Sequence, residues 1–150
     1  MGRIYTAPLS NLSVTNDADQ DIVEFVNSSG VVAILHEIEL NSALTTDERV
    51  RLRLCRRSTT GSGGSALTEV PASVGDAGAA LAVSALVTAP GTIGAILEEW
   101  YWSQLAPFVY IPVPEGRITV PPSGRLCLNL LTAVASTRSW SGRVKWEEVG

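Results

Sequence analysis

The chain has few of the side chains that commonly perform catalysis, because its 150 residues include one histidine and two cysteines. His36 lies within an alternating apolar segment, and no serine or cysteine motif accompanies it. Because no such nucleophile accompanies it for activation, the pattern favours a hydrogen-bonded core or interface histidine over a general base. A single histidine without a C-x-x-C pair also cannot form a Cys/His zinc site.

Two pairs of adjacent carboxylates, Glu98–Glu99 and Glu147–Glu148, are candidates for acid–base chemistry. Both pairs are predicted to lie on strands, where neighbouring side chains point to opposite faces of a sheet. Neither pair therefore converges on one substrate, and glycosidase chemistry would require two carboxylates that are distant in sequence. We predict no catalytic residues and no enzymatic activity.

An acidic turn, NDADQD, places Asp17, Asp19 and Asp21 at alternating positions. An EF-hand loop counted from Asp17 needs glycine at its sixth position and glutamate at its twelfth, where this chain has Ile22 and Ser28. The mismatch favours a solvated turn, with a weak surface calcium site as the alternative. We expect neither a bound metal nor another cofactor.

Cys55 and Cys127 both lie in apolar, strand-like segments, where a free cysteine behaves as a small hydrophobic residue. They are predicted to be reduced and structural, because sequence spacing alone cannot establish a disulfide. The glycine-rich segment Gly61–Gly64 lacks the following Lys-Ser or Lys-Thr of a phosphate-binding loop, and no helix is predicted after it. It is interpreted as a mobile loop.

The composition argues against several classes of protein. Eleven basic and fifteen acidic residues give a net charge of −4, whereas a nucleic-acid-binding protein normally has a basic excess. No apolar run reaches the roughly 18–20 residues of a membrane span, and the first residues do not resemble a secretory leader. An apolar fraction of 45% with 17% charged residues indicates a globular chain.

Two clusters could contact a partner. The first is an arginine stripe made up of Arg49, Arg51, Arg53, Arg56 and Arg57. Because Glu37 and Glu39 partly neutralise it, the stripe is interpreted as a charge ladder on a solvated or subunit-facing sheet. Binding of an acidic partner or of nucleic acid is the alternative. The second is aromatic and could fill the core, stack on a sugar or form a protein interface; its members are Trp100, Tyr101, Trp102 and Tyr110.

The elements that must position these residues are predicted to be strands. Short β-branched, alternating segments are separated by Pro, Gly and Ser at intervals of roughly 8–15 residues, which is typical of an all-β sandwich or barrel. We predict one antiparallel jelly-roll domain of about eight or nine strands over 17–150, preceded by an extended N-terminal arm over 1–16. A long flexible loop is predicted over 58–78, and the segment 79–87 favours a strand over a short helix.

A charged hairpin is the most detailed structural prediction. The segments 34–40 and 49–54 alternate apolar and charged residues, and the first places Ile34, His36, Ile38 and Leu40 on one face. Antiparallel pairing would set Glu39 opposite Arg49 and Glu37 opposite Arg51. Apolar and charged faces would then match at once.

The layout of the chain resembles the small jelly-roll decoration (cement) proteins of tailed-bacteriophage capsids. The resemblance covers most of the chain and rests on the extended N-terminal segment and three phrases, HEIELNSALTTDERVRLRLCRR, TTGSGGS and VPPSGRLCLNL. It implies a structural virion protein, a homotrimer, that is made in the host cytoplasm and binds the major capsid protein on the capsid surface. It implies no catalytic residue, and neither nucleic acid nor a membrane is an expected partner.

The alternative is a carbohydrate-binding β-sandwich module of a phage tail or cell-surface protein. The two hypotheses differ at the tryptophans, which should be exposed in a lectin and buried or interfacial in a capsid protein. The candidate partner-binding residues are Arg3, Ile4, Tyr5, Arg51, Arg53, Trp100 and Trp102.

Overall fold

The computed structural model describes residues 2–17 and 19–150, which form twelve strands and one 3-10 turn. The strands are β1 (Arg3–Val14), β2 (Gln20–Val26), β3 (Val32–Ser42), β4 (Arg49–Arg57), β5 (Ser65–Ala66), β6 (Val70–Pro71), β7 (Ala82–Val87), β8 (Ile93–Ser103), β9 (Phe108–Tyr110), β10 (Thr119–Val120), β11 (Arg125–Leu130) and β12 (Arg138–Val149). The 3-10 turn spans Pro114–Gly116. Within the described ranges, no helix has the length and apolar character needed to cross a bilayer.

The strands form two antiparallel sheets, which confirms the predicted β-sandwich. Sheet A has the order β10-β3-β12-β1-β6, with β9 also paired to β3, and sheet B has the order β5-β7-β2-β11-β4-β8. The principal strands follow the order β1-β12-β3-β9 in sheet A and β2-β11-β4-β8 in sheet B. The chain passes back and forth between the sheets in the manner of a jelly roll.

The core lies between the sheets and is built around aromatic side chains. Trp146 stacks on Tyr5 at a centroid distance of 5.8 Å and meets Phe25 edge-on at 6.2 Å. Trp140 packs edge-to-face with Trp102 at 4.9 Å. Alternating apolar residues of β4 and β11 complete this layer as predicted, with Leu52 and Leu54 from one strand and Leu126, Leu128 and Leu130 from the other.

The predicted hairpin is wrong, because β3 and β4 belong to different sheets. Glu39 lies opposite Arg143 of β12, and Arg51 lies opposite Tyr101 of β8. The connection 43–48 crosses from sheet A to sheet B. Alternation determines which face a residue occupies but not which strand lies beside it, and β12 supplies basic partners for the β3 glutamates as well as β4 would.

A β-bulge also changes the predicted inward face of β3. Lys145 pairs with Glu37 and the next residue, Trp146, pairs with Leu35, so His36 is an extra residue in the ladder. The buried positions are therefore Ala33 and Leu35 on one side of the bulge and Ile38 and Leu40 on the other; Ile34 and His36 were wrongly predicted to face inward. One extra residue reverses the alternation.

The N-terminal segment is a strand of sheet A rather than an arm. β1 pairs with β12 from Arg3 to Val14, with a bulge after Leu9. Its alternate residues Tyr5, Ala7, Leu9, Leu12 and Val14 are buried. Pro8 is tolerated in this strand even though it has no amide hydrogen to donate. The interruption at Pro8 and Asn11 concealed this alternation in the sequence.

Later segments follow the sequence more closely. The ambiguous segment contains strand β7, and β9 ends at Tyr110, before Pro112. The turn between β10 and β11 is closed by a hydrogen bond from Gly124 N to Pro121 O at 2.8 Å. Residues 58–78, predicted as one long loop, include the two short strands β5 and β6.

Candidate partner-binding surface

One edge of the sandwich exposes a run of apolar side chains, here called the apolar edge. Eight of the twelve large hydrophobic side chains that are exposed in the described structure lie between positions 93 and 113. They are Ile93, Ile96, Leu97, Tyr101, Leu105, Val109, Ile111 and Val113. Strands β8 and β9 bring them to the same edge of the sandwich, with Tyr101 facing out of sheet B and Val109 facing out of sheet A. Exposed apolar side chains concentrated along one edge favour a protein–protein contact over scattered surface residues.

Strand β8 forms most of the apolar edge because it is the last strand of sheet B. Gly94 and Leu97 are extra residues relative to β4, so β8 carries two bulges. Bulges interrupt the free hydrogen-bonding ladder of an edge strand and oppose uncontrolled strand addition. The apolar edge therefore exposes side chains rather than a continuous backbone ladder.

Aromatic packing beneath the surface holds β8 against β9. Trp100 meets Phe108 and Tyr110 edge-on, each at a centroid distance of 5.2 Å. The Tyr110 hydroxyl donates to Glu98 at 2.8 Å. Burial, together with this carboxylate, raises the pKa of Tyr110 to about 12, so its hydroxyl remains a donor at neutral pH. The two sheets are thereby joined along the apolar edge.

A small charged group borders the apolar edge on the outer face of sheet B. Arg51 donates to Glu99 at 2.8 Å, and its guanidinium lies 5.9 Å from the ring centroid of Tyr101. The Tyr101 side chain is 78% exposed. Of the predicted partner-binding arginines of β4, Arg51 is the one that the structure leaves accessible.

The predicted tryptophans lie mainly in the interior. Trp102 is 5% exposed, and its indole N–H donates to the Ala106 carbonyl at 2.6 Å. Trp100 is partly buried in the aromatic packing described above. Trp102 therefore does not offer its ring to a ligand, and Tyr101, between the two, is the exposed aromatic residue.

Two further predicted contact residues are also buried. Tyr5 lies in the core, and its hydroxyl donates to the Ala77 carbonyl at 3.0 Å. Arg53 donates to Asn129 at 2.8 Å and to Asp19 at 3.2 Å. The sequence did not reveal this burial, because the burial of the N-terminal strand and of the outer face of sheet B depends on distant segments. Arg3 and Ile4 are exposed.

The outer face of sheet B carries a covered polar cluster, defined as Asp21, Glu24, Arg53, Arg57 and Asn129, all of which are buried. Arg57 donates to Asp21 at 2.6 Å, and Asn129 donates to the same oxygen at 2.8 Å. The segments 58–64 and 88–92 cover the cluster: Gly61 N donates to Glu24 at 2.9 Å, and Arg57 donates to the Gly91 carbonyl at 2.8 Å. Because a carboxylate occupies the glycine-rich loop, the loop amide does not face an anion-binding site.

The other candidate chemical groups are engaged in separate contacts. His36 lies 3.1 Å from Glu147, which agrees with the predicted hydrogen-bonded histidine. Asp17 accepts a hydrogen bond from Thr15, whereas Asp19 and Asp21 contact different arginines. In the part of the chain that the structure describes, no three His, Cys, Asp or Glu side chains lie close enough to share a metal ion.

The second half of the apolar edge was not predicted from the sequence. Val109, Ile111 and Val113 alternate between the prolines of the segment FVYIPVP, and all three are exposed. This spacing could have predicted exposed apolar side chains, because prolines prevent the segment from continuing as a paired strand that would bury them.

No family model, curated protein or solved structure matches this chain. The function must therefore be inferred from the geometry of the chain itself.

Proposed function

We propose that this protein is a structural virion protein that binds the outside of a bacteriophage capsid and stabilises contacts between major capsid subunits. The observation that carries the proposal is the apolar edge, a surface suited to a protein partner. The layout of the sequence, which resembles capsid decoration proteins, supplies the identity of that partner.

The arrangement of the apolar edge supports a durable protein contact. Its apolar side chains are flanked by Arg51 and by the carboxylates of Glu98 and Glu99, which matches the apolar centre and polar rim of protein interfaces. The edge rests on rigid strands joined by buried aromatic rings, so little conformational entropy is lost when it binds. Self-association, predicted as a homotrimer, would use surface of the same kind.

A sugar-binding role is less well supported by the positions of the aromatic residues. A sugar platform needs an exposed ring, and the burial of Trp102 removes one of the two tryptophans on which that hypothesis depended. Tyr101 remains available, so glycan binding is included as an outcome of the test below.

The test is co-sedimentation of the purified protein with capsids of the phage that encodes it. Ile96→Asp and Ile111→Asp each place a charge on the apolar edge, and each is expected to weaken capsid binding roughly tenfold or more. Val74→Asp is the matched control, because Val74 is fully exposed on the connection next to β6, at the far edge of sheet A. Melting curves of all three variants should match that of the unmodified protein.

Equal co-sedimentation of all variants would contradict the role of the apolar edge, and no binding by the unmodified protein would contradict the capsid proposal. Light scattering over a hundredfold dilution measures the predicted trimer. A monomer whose Tyr101→Ala variant loses binding to glycans would instead establish the carbohydrate-binding alternative.

A further inference from the structure

Cys55 and Cys127 occupy directly opposed positions in the middle of sheet B. They pair across the antiparallel strands β4 and β11, and their Sγ atoms lie 2.9 Å apart. Both residues are free thiols and fully buried. They lie on the same face of sheet B as the covered polar cluster.

The backbone geometry of this pair suits a covalent cross-link. Opposed residues of antiparallel strands have Cα atoms about 4.5 to 5.5 Å apart, which lies within the roughly 4.4 to 6.8 Å that disulfides span. Because the sulfur atoms already touch, bond formation requires small side-chain rotations and no movement of either strand.

The surroundings distinguish the two thiols. Hydrogen bonding from Cys127 lowers the pKa of Cys55 although burial opposes it, and the nearby Arg57 guanidinium acts in the lowering direction. The contact with Cys55 and burial both raise the pKa of Cys127. These directions favour Cys55 as the attacking thiol and Cys127 as the resolving thiol.

We infer that Cys55 and Cys127 form an intramolecular disulfide when the folded protein meets hydrogen peroxide. The Cys55 thiolate attacks one peroxide oxygen, the O–O bond breaks, and the leaving hydroxide takes up a proton to give water and a sulfenic acid on Cys55. Cys127 then attacks the Cys55 sulfur, the S–O bond breaks, and the leaving hydroxide takes the Cys127 proton. The two sulfurs lose two electrons, which reduce the peroxide to two water molecules.

Hydrogen peroxide is the oxidant of this proposal because both cysteines are fully buried and a small oxidant reaches such sites more readily than a bulky disulfide reagent. The cross-link closes a long loop that contains strands β5 to β10, which restricts the unfolded chain. We therefore expect oxidation to raise the melting temperature by roughly 5–15 °C. This inference is independent of the proposed virion function.

The test compares peroxide-treated and untreated protein by alkylation with N-ethylmaleimide in denaturant, followed by mass spectrometry and thermal melting. The expected result is loss of two alkylation sites within a monomer, a higher melting temperature, and reversal of both by a thiol reductant. Cys55→Ser and Cys127→Ser are matched controls that should show neither the cross-link nor the higher melting temperature.

The thiol count of the unmodified protein decides the question even if a serine variant does not fold. The inference would be overturned by two thiols that remain alkylatable after peroxide treatment, by irreversible oxidation of either sulfur, or by disulfide-linked dimers.

Discussion

At the scale of single residues, the buried contact between Asp21 and Arg57 combines two charges that are almost fully removed from solvent. The desolvation of such a pair is costly. Two further hydrogen bonds maintain its geometry: Asn129 donates to Asp21, and Arg57 donates to the Gly91 carbonyl. The pair positions the Arg57 guanidinium near both cysteines and fastens the segment 88–92 to sheet B. Its main role is therefore to hold the covered face in one arrangement.

Asp21→Ala should lower the free energy of unfolding by about 3–5 kcal/mol, because it leaves Arg57 buried without its counter-charge. Urea denaturation measures this change. Glu99→Ala is the control, since it breaks an ion pair to Arg51 at the surface, where solvent screens the charges, and little change is expected. A loss for Asp21→Ala no larger than that of the control would contradict this account.

At the scale of elements, β3 and β12 are joined by a charge ladder along the outer face of sheet A. Glu37 accepts hydrogen bonds from Arg143 at 2.9 Å and lies 3.2 Å from the Lys145 ammonium. Burial alone would raise the pKa of Glu37, but the hydrogen bonds and charges of these two residues outweigh it and hold the pKa below its ordinary value of 4.5. The β3 glutamates, predicted from the sequence to pair with arginines of β4, thus stabilise the pairing of β3 with β12.

Acid should therefore weaken the pairing of β3 with β12. Because the folded pKa of Glu37 is lowered, its contribution to stability is fully present above pH 4.5 and is lost as the pH falls through the folded pKa. The free energy of unfolding, measured in urea between pH 6 and pH 3, should fall less steeply for Glu37→Gln than for the unmodified protein. Glu115→Gln, on the exposed 3-10 turn, should retain the original slope; equal slopes for all three proteins would refute the prediction.

At the scale of the whole molecule, the jelly roll depends on its first strand. β1 lies between β12 and β6 in sheet A and contributes Tyr5 and Leu9 to the core. The N-terminal segment was predicted to be an extended arm that precedes the sandwich domain. The pairing of β1 with β12 implies instead that this segment is part of the folding unit.

Deletion of residues 2–14 should abolish cooperative folding, because β12 loses its partner and the aromatic core loses one wall. Thermal melting followed by near-ultraviolet circular dichroism measures this loss. Deletion of Gly2 alone leaves β1 intact and should preserve the transition. A sharp melting transition for the longer deletion would restore the hypothesis of an independent arm.

The residues of the proposed partner-binding surface show how little of side-chain exposure is visible in local sequence. Trp100 and Trp102 were recognised by residue type, yet the exposed ring is Tyr101, because strand alternation turns it away from the core. Arg51 and Arg53 are the same residue type on the same face of β4, but segments distant in sequence bury only Arg53. Residue type indicated which segments to consider, and tertiary burial decided which of their side chains are exposed.

The sequence by itself determined the fold class, the positions of most strands and the inward residues of β4 and β11, because alternation and turn residues act within a few positions of one another. The tertiary structure alone decided that β3 pairs with β12, that β1 belongs to sheet A, and that Cys55 meets Cys127. Each of these depends on which strands become neighbours. That choice is made by the packing of the entire core and by bulges of a single residue, neither of which local alternation records.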